Sequence, residues 1–113
     1  MILRVTAYVR PHRLEQVKTA VANLGVTGLT VTDVRGCGSS PELASSFGGQ
    51  DVLVALPVRS KVEVIVEEAL VEPLIAAISA NARTGQPGDG KIFVEPIEDA
   101  LRIRTGERGP GAV

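Results

Sequence analysis

Several common functions are excluded by what the chain has little of. It has one cysteine, Cys37, which cannot form an internal disulfide, and one histidine, His12, so no metal-ligating cluster is visible. Aromatic residues make up 3% of the chain, too few for a base-stacking surface. The net charge is -1, without the basic field that nucleic acid would need. There is no run of about 18 apolar residues and no basic-apolar-small leader. Neither direct membrane insertion nor a signal peptide is expected, and the cytoplasm is the simplest location.

What is present is a soluble globular composition, 44% hydrophobic and 22% charged over 113 residues. That length predicts one domain, 1–113, with a modest core. Leu3, Val5, Ala7 and Val9 alternate with Arg4, Thr6 and Tyr8, which predicts a half-buried first strand. Arg10-Pro11-His12 breaks it, and His12 reads as a surface or packing residue. Leu14, Val17, Val21 and Leu24 then fall at helical spacing, with Gly25 as the stop. Thr27–Val34 reads as a second strand. Residues 37–54 are rich in glycine and serine and predict a long, mobile surface loop.

Val58–Val66 alternates again as a third strand, and Glu67-Glu68 leads into a second helix with Pro73 in its first turn. Lys91–Val94 is expected as a fourth strand, residues 96–100 as a short turn, and Leu101–Arg104 as a short terminal strand. Residues 105–113, rich in glycine and proline, are expected to form a mobile tail. The order strand, helix, strand, strand, helix, strand predicts an α+β, ferredoxin-like βαββαβ fold. Two helices would cover one sheet face. The other face needs a cover, which suggests a symmetric oligomer.

The most informative stretch is Thr84–Val94. Its first eight residues hold three glycines, a proline, an aspartate and a lysine. Glycines let backbone approach a ligand, turn N–H groups form an anion-binding concavity, and Lys91 adds a positive charge suited to phosphate. The same stretch also reads as an ordinary tight turn between helix and strand. Arg102, Arg104 and Arg108 cluster further on. Guanidinium forks and a lysine together suit a polyphosphate.

These residues carry a resemblance to the PII signal-transduction family. It rests on Arg10-Pro11, on Gly28-Leu29-Thr30-Val31-Thr32, on Thr84-Gly85 with Gly88-Asp89-Gly90-Lys91-Ile92-Phe93-Val94, and on Ile103-Arg104-Thr105-Gly106-Glu107-Arg108. The resemblance covers nearly the whole chain. It implies a cytoplasmic homotrimer that senses adenine nucleotide, as ATP, ADP or AMP, in clefts between subunits. By the same resemblance, Gly88, Asp89, Gly90 and Lys91 would line phosphates and ribose. Arg102 and Arg104 would reach phosphates from the adjoining subunit. Thr30 and Ile65 would hold the adenine, Glu63 is a further expected nucleotide contact, and Gly38 would approach from the base of the long loop.

The long loop departs from the family pattern. No tyrosine lies between 37 and 54, and Val52 stands at the matching place, so uridylylation is not expected. Members that bind 2-oxoglutarate with Mg-ATP have a glutamine where this chain has Ser40 and an arginine where it has Ser39. Arg59 matches a lysine that pairs with the effector carboxylate. Ser40 and Arg59 are therefore the expected effector contacts, for a smaller anion. This pattern is similar to PII-like proteins linked to inorganic-carbon uptake, for which bicarbonate with ADP or AMP is implied. The rival expectation is a nitrogen-side regulator that responds to 2-oxoglutarate and controls an ammonium transporter or enzyme. Either way, the loop would present or hide a surface for a membrane transporter or metabolic enzyme. A slow ATPase is the enzymatic alternative. Asp89 and Glu63 are its only candidate bases, and no catalytic residue is assigned.

Overall fold

The structure, a computed structural model, describes residues 1–36 and 56–113. The expectations placed on Cys37, Gly38, Ser39, Ser40, Val52 and the loop 37–54 lie outside the described residues.

Four strands and two helices are described: β1 (Ile2–Val9), α1 (Leu14–Ala22), β2 (Thr30–Arg35), β3 (Val58–Glu67), α2 (Val71–Ala82) and β4 (Lys91–Ile97). Short 3-10 turns at Pro11–Arg13 and Glu68–Leu70 lead into the two helices. The strands form one sheet in the order β2-β3-β1-β4, every pair antiparallel. This is the expected α+β, ferredoxin-like arrangement, with the long connection between β2 and β3.

The core follows from period-two patterning on β1 and β3. Val5 pairs with Val64 and Ala7 with Val62, so four apolar side chains share one sheet face. Val17 and Val21 of α1 and Leu74 and Ile78 of α2 pack onto that face, all fully buried. Burying a side chain the size of Leu74 or Ile78 contributes about 1.5–3 kcal/mol. Gly25 closes α1 in the left-handed region, at φ +77°, and donates its N–H to the Ala22 carbonyl. Pro73 is the third residue of α2, where its missing N–H has no intrahelical partner to lose.

Three boundaries differ from the sequence reading. β2 starts at Thr30 rather than Thr27 and runs to Arg35. β4 continues past Val94 to Ile97, so Pro96 lies in a strand, opposite Leu3. An edge strand tolerates a residue without an N–H, which is why the proline did not end it. The expected strand Leu101–Arg104 is instead the first arm of a turn, closed by a single bridge between Leu101 and Arg108. Its four-residue alternation has no buried face to serve, since Ile103 is 94% exposed. Residues 105–113, expected to be loose, include a 3-10 turn at Gly109–Ala112, and Gly109 donates its N–H to the Ala100 carbonyl.

The sheet face away from the helices carries Arg4, Thr6 and Tyr8 of β1, Lys61, Glu63 and Ile65 of β3, and Lys91, Phe93 and Glu95 of β4. Tyr8 and Phe93 meet edge to face at 6.1 Å, and Phe93 remains 54% exposed. Among the described residues no helix is long and apolar enough to cross a membrane.

Leu74→Ala is expected to cost about 2–5 kcal/mol, because it empties the centre of the helix-sheet interface. Urea unfolding at fixed protein concentration measures it. A loss under about 1 kcal/mol would mean that α2 is not packed on the sheet as described.

Candidate functional site

The loop from Thr84 to Gly90 is shaped by one carboxylate. Asp89 accepts hydrogen bonds from the backbone N–H groups of Thr84 at 2.8 Å and Gly85 at 2.9 Å, and from the Thr84 hydroxyl. Arg10, just past the end of β1, donates its Nε to the same carboxylate at 3.3 Å. The Arg10 Nη2 reaches the Pro87 carbonyl at 2.6 Å. The Thr84 hydroxyl, then the Thr84 and Gly85 N–H groups and the Arg10 guanidinium, hold the Asp89 carboxyl far below the usual carboxylate range. Partial loss of water opposes them but does not prevail.

Gly90 then passes close to β1. A Cβ at this position would stand 1.7 Å from the Tyr8 carbonyl oxygen, and the backbone adopts φ +109°. Any side chain would collide with fixed main chain and strain the turn as well. Gly88, at φ +97°, supplies the left-handed turn before Asp89. The result is a loop drawn tight against the sheet edge, with Lys91 emerging as the first residue of β4, opposite Tyr8.

Lys91 is exposed and has no acidic partner among the described residues. Beside it lies an open cleft of about 280 Å³, lined by Tyr8, Ser79, Arg83, Asp89, Gly90 and Lys91 among others. That falls just short of the roughly 300–1,000 Å³ of ordinary small-molecule sites.

The remaining expected residues fall into two groups. Thr30 pairs with Glu63 across β2 and β3, and Ile65 lies two residues further along β3 on the same face. Glu63 also faces Lys61 at 3.6 Å. Arg59, near the start of β3, is opposite Val34, and its Nη1 donates to the Val58 carbonyl at 3.0 Å. Gly88, Asp89, Gly90 and Lys91 lie at the other edge, beside β4. In the strand order β2-β3-β1-β4, roughly 10 Å of sheet separates Glu63 and Ile65 on β3 from β4, and roughly 14 Å separates Thr30 on β2 from it. One copy of the chain therefore brings Thr30, Glu63 and Ile65 together, and separately Gly88–Lys91, but does not join the two groups.

The C-terminal turn after β4 carries the arginines. Arg102 pairs with Glu107 at 3.3 Å and Arg108 with Asp99 at 2.6 Å. Arg104 is exposed, with no carboxylate partner among the described residues. Arg10 and Glu107 were given no role in the sequence reading. Both stood inside the quoted motifs, but neither contact follows from spacing, since Arg10 meets Asp89 from 79 residues away.

With this geometry in hand, the comparisons with known proteins agree on one family. The model for "Nitrogen regulatory protein P-II" matches residues 2–107. A nitrogen regulatory protein P-II of Microchaete diplosiphon is 43% identical over 110 residues, covering 97% of this chain and 98% of its own. Nitrogen regulatory protein P-II 1 of Methanothermobacter thermautotrophicus is 44% identical over 110 residues, with 97% and 96% covered. The crystal structure of Arabidopsis thaliana PII bound to citrate superposes with a TM-score of 0.81 at 40% identity, covering 99% of this chain and 92% of that one. The chain belongs to the P-II family of nitrogen regulatory proteins.

Two outcomes are expected of the loop. The stabilisation carried by Asp89 is present above the ordinary aspartate value, about 3.9, and is lost only as pH falls through the depressed one. The Thr84 and Gly85 amide resonances should therefore hold their positions as pH falls through 4, where a free aspartate would titrate; a midpoint near 4 would show that the carboxylate does not organise the loop. Gly90→Ala should destabilise the protein by about 1–3 kcal/mol or more through strain alone, read by thermal unfolding. An unchanged melting temperature would place the loop further from Tyr8 than described.

Proposed function

We propose that this protein is a signal-transduction regulator that binds adenine nucleotide in clefts between the subunits of a homotrimer. A small anion, bicarbonate, acts with the nucleotide to select among conformations of the 37–54 segment. That segment then presents or hides a surface for a partner in carbon or nitrogen metabolism, a membrane transporter or a metabolic enzyme. The observation that carries the reading is the loop Thr84–Gly90. Its one carboxylate is consumed internally, and it delivers Lys91, which has no acidic partner among the described residues, beside backbone that a side chain would block.

The separation of the expected contacts supports a shared site. Gly88, Gly90 and Lys91 would hold phosphates from one copy, and Arg102 and Arg104 would reach them from the next. Thr30, Glu63 and Ile65 offer a shelf on the open sheet face for the adenine. The exposed Phe93 on that face supports its burial against other copies. Citrate in the plant PII structure supports anion binding by the fold. Bicarbonate is preferred to 2-oxoglutarate because Ser40 is too short for the metal-reaching role of a glutamine. Hydrolysis of ATP is the weaker reading. Asp89 is tied to Thr84, Gly85 and Arg10 and held ionised, which makes it a poor base.

Calorimetric titration with ATP, ADP and AMP tests this, each repeated with bicarbonate and with 2-oxoglutarate plus Mg²⁺. Tighter ADP or AMP binding with bicarbonate is expected. Tighter ATP binding with 2-oxoglutarate would transfer the protein to the nitrogen-side reading. Lys91→Ala should weaken nucleotide binding at least tenfold, since hydrogen bonds to charged groups contribute about 1.5–3 kcal/mol. Unchanged affinity in that variant would remove Lys91 from the site.

A further inference from the structure

We propose that Glu107 competes with the nucleotide's phosphates for Arg102, and so limits how tightly the charged end of the ligand is held. This rests on the nucleotide reading above. The Arg102 Nη1 donates to the Glu107 Oε1 at 3.3 Å. The Thr105 hydroxyl donates to the same oxygen at 2.9 Å, which fixes the carboxylate in front of the guanidinium. The Arg102 Nη2 also reaches the Val113 carbonyl, at 3.5 Å. Arg102 is therefore engaged on two sides before any phosphate arrives.

The turn does not need this ion pair to stay closed. The Arg102 N–H donates to the Glu107 carbonyl at 2.9 Å, and the Gly106 N–H to the Arg102 carbonyl at 2.7 Å. The bridge between Leu101 and Arg108 ties the base. The Glu107 side chain is thus superfluous for the turn's shape, yet it occupies the donor that a phosphate would use. The pair is also easily displaced. The two side chains are 39% and 50% exposed, and exposed ion pairs hold weakly. A phosphate offers a guanidinium two parallel hydrogen bonds and more charge.

The three arginines of this turn differ accordingly. Arg108 is held by Asp99 at 2.6 Å and Arg102 by Glu107, whereas Arg104 has no carboxylate partner among the described residues. Arg104 makes the first contact with the ligand, and Arg102 joins after leaving Glu107. Glu107 acts through Arg102, as a positioning residue. Its effect falls on ligands with the longer phosphate chain, which carry charge enough to displace it.

The test is calorimetry of the full chain, wild type, Glu107→Gln, Arg102→Ala and the double variant, against ATP and AMP. Glu107→Gln should tighten ATP about two- to tenfold and AMP less, the range that release of an exposed pair and one nearby negative charge allows. The gain should vanish in the Arg102→Ala background, as a double-mutant cycle requires of a coupled pair. A gain that persists undiminished without Arg102 would make Glu107 a general charge effect and overturn the proposal. So would ATP affinity that is unchanged or weaker in Glu107→Gln while the wild type binds. Failure of the wild type to bind ATP at all would overturn the nucleotide reading and this inference together.

Discussion

The carboxylate of Asp89 is the constraint on which the site depends. A glycine-rich loop has many conformations, and ordering it costs conformational entropy at every residue. Here a single charged acceptor gathers two backbone N–H groups, a hydroxyl and a guanidinium, and each shortens the list of shapes that the loop can take. Because Arg10 follows β1 directly, the loop is referenced to the sheet as well as to the end of α2. The approach of Gly90 to the Tyr8 carbonyl follows from this anchoring. The negative charge is balanced within the loop, so Lys91 meets the cleft without an acidic partner among the described residues.

That anchoring needs a rigid sheet edge, and the core supplies one. β1 is a central strand, with β3 on one side, β4 on the other, and α2 above. Its helix-facing residues are small and branched, and Ala7 lets the helices sit close. Its other face carries Thr6 and Tyr8 at the rows where Glu63 and Lys91 come into register. One strand thus fixes both the packing and the spacing of the expected contacts. A shift of one residue would exchange the two faces and lose both together.

Much of the fold was legible because its signals are local. Period-two runs in β1 and β3 and helical spacing before Gly25 each lie within one element, and each was read correctly in kind, whereas Glu67-Glu68, expected to open the second helix, ends β3 and begins the 3-10 turn before it. The misreadings occurred where neighbours decide. Pro96 ends a central strand but not an edge strand, and sequence alone did not say which β4 was. Leu101–Arg104 alternates as a strand would, but alternation produces a strand only where there is a face to bury, and Ile103 has none. At the site, residue types were legible and their partners were not. The motif Gly88-Asp89-Gly90-Lys91 singled out the candidate stretch, yet that Asp89 is tied to the loop depends in part on Arg10, far away in sequence.

The charge pattern around the proposed ligand has a consequence for its regulation. Of the basic groups that the proposal assigns to phosphate, Lys91 and Arg104 lack an acidic partner among the described residues, and Arg102 has one in Glu107. A site whose cations were all unpaired would bind any polyphosphate tightly and respond slowly to changes in its supply. A site whose cations were all paired would bind none until its carboxylates moved. A mixed arrangement favours ready exchange, with differences in phosphate number converted into differences in how many cations are recruited. A sensor works by differential affinity between states rather than by affinity alone. On the proposed reading, an exposed, replaceable ion pair on one of three cations would provide it, because breaking the pair would change affinity severalfold while the turn that carries it keeps its backbone bonds.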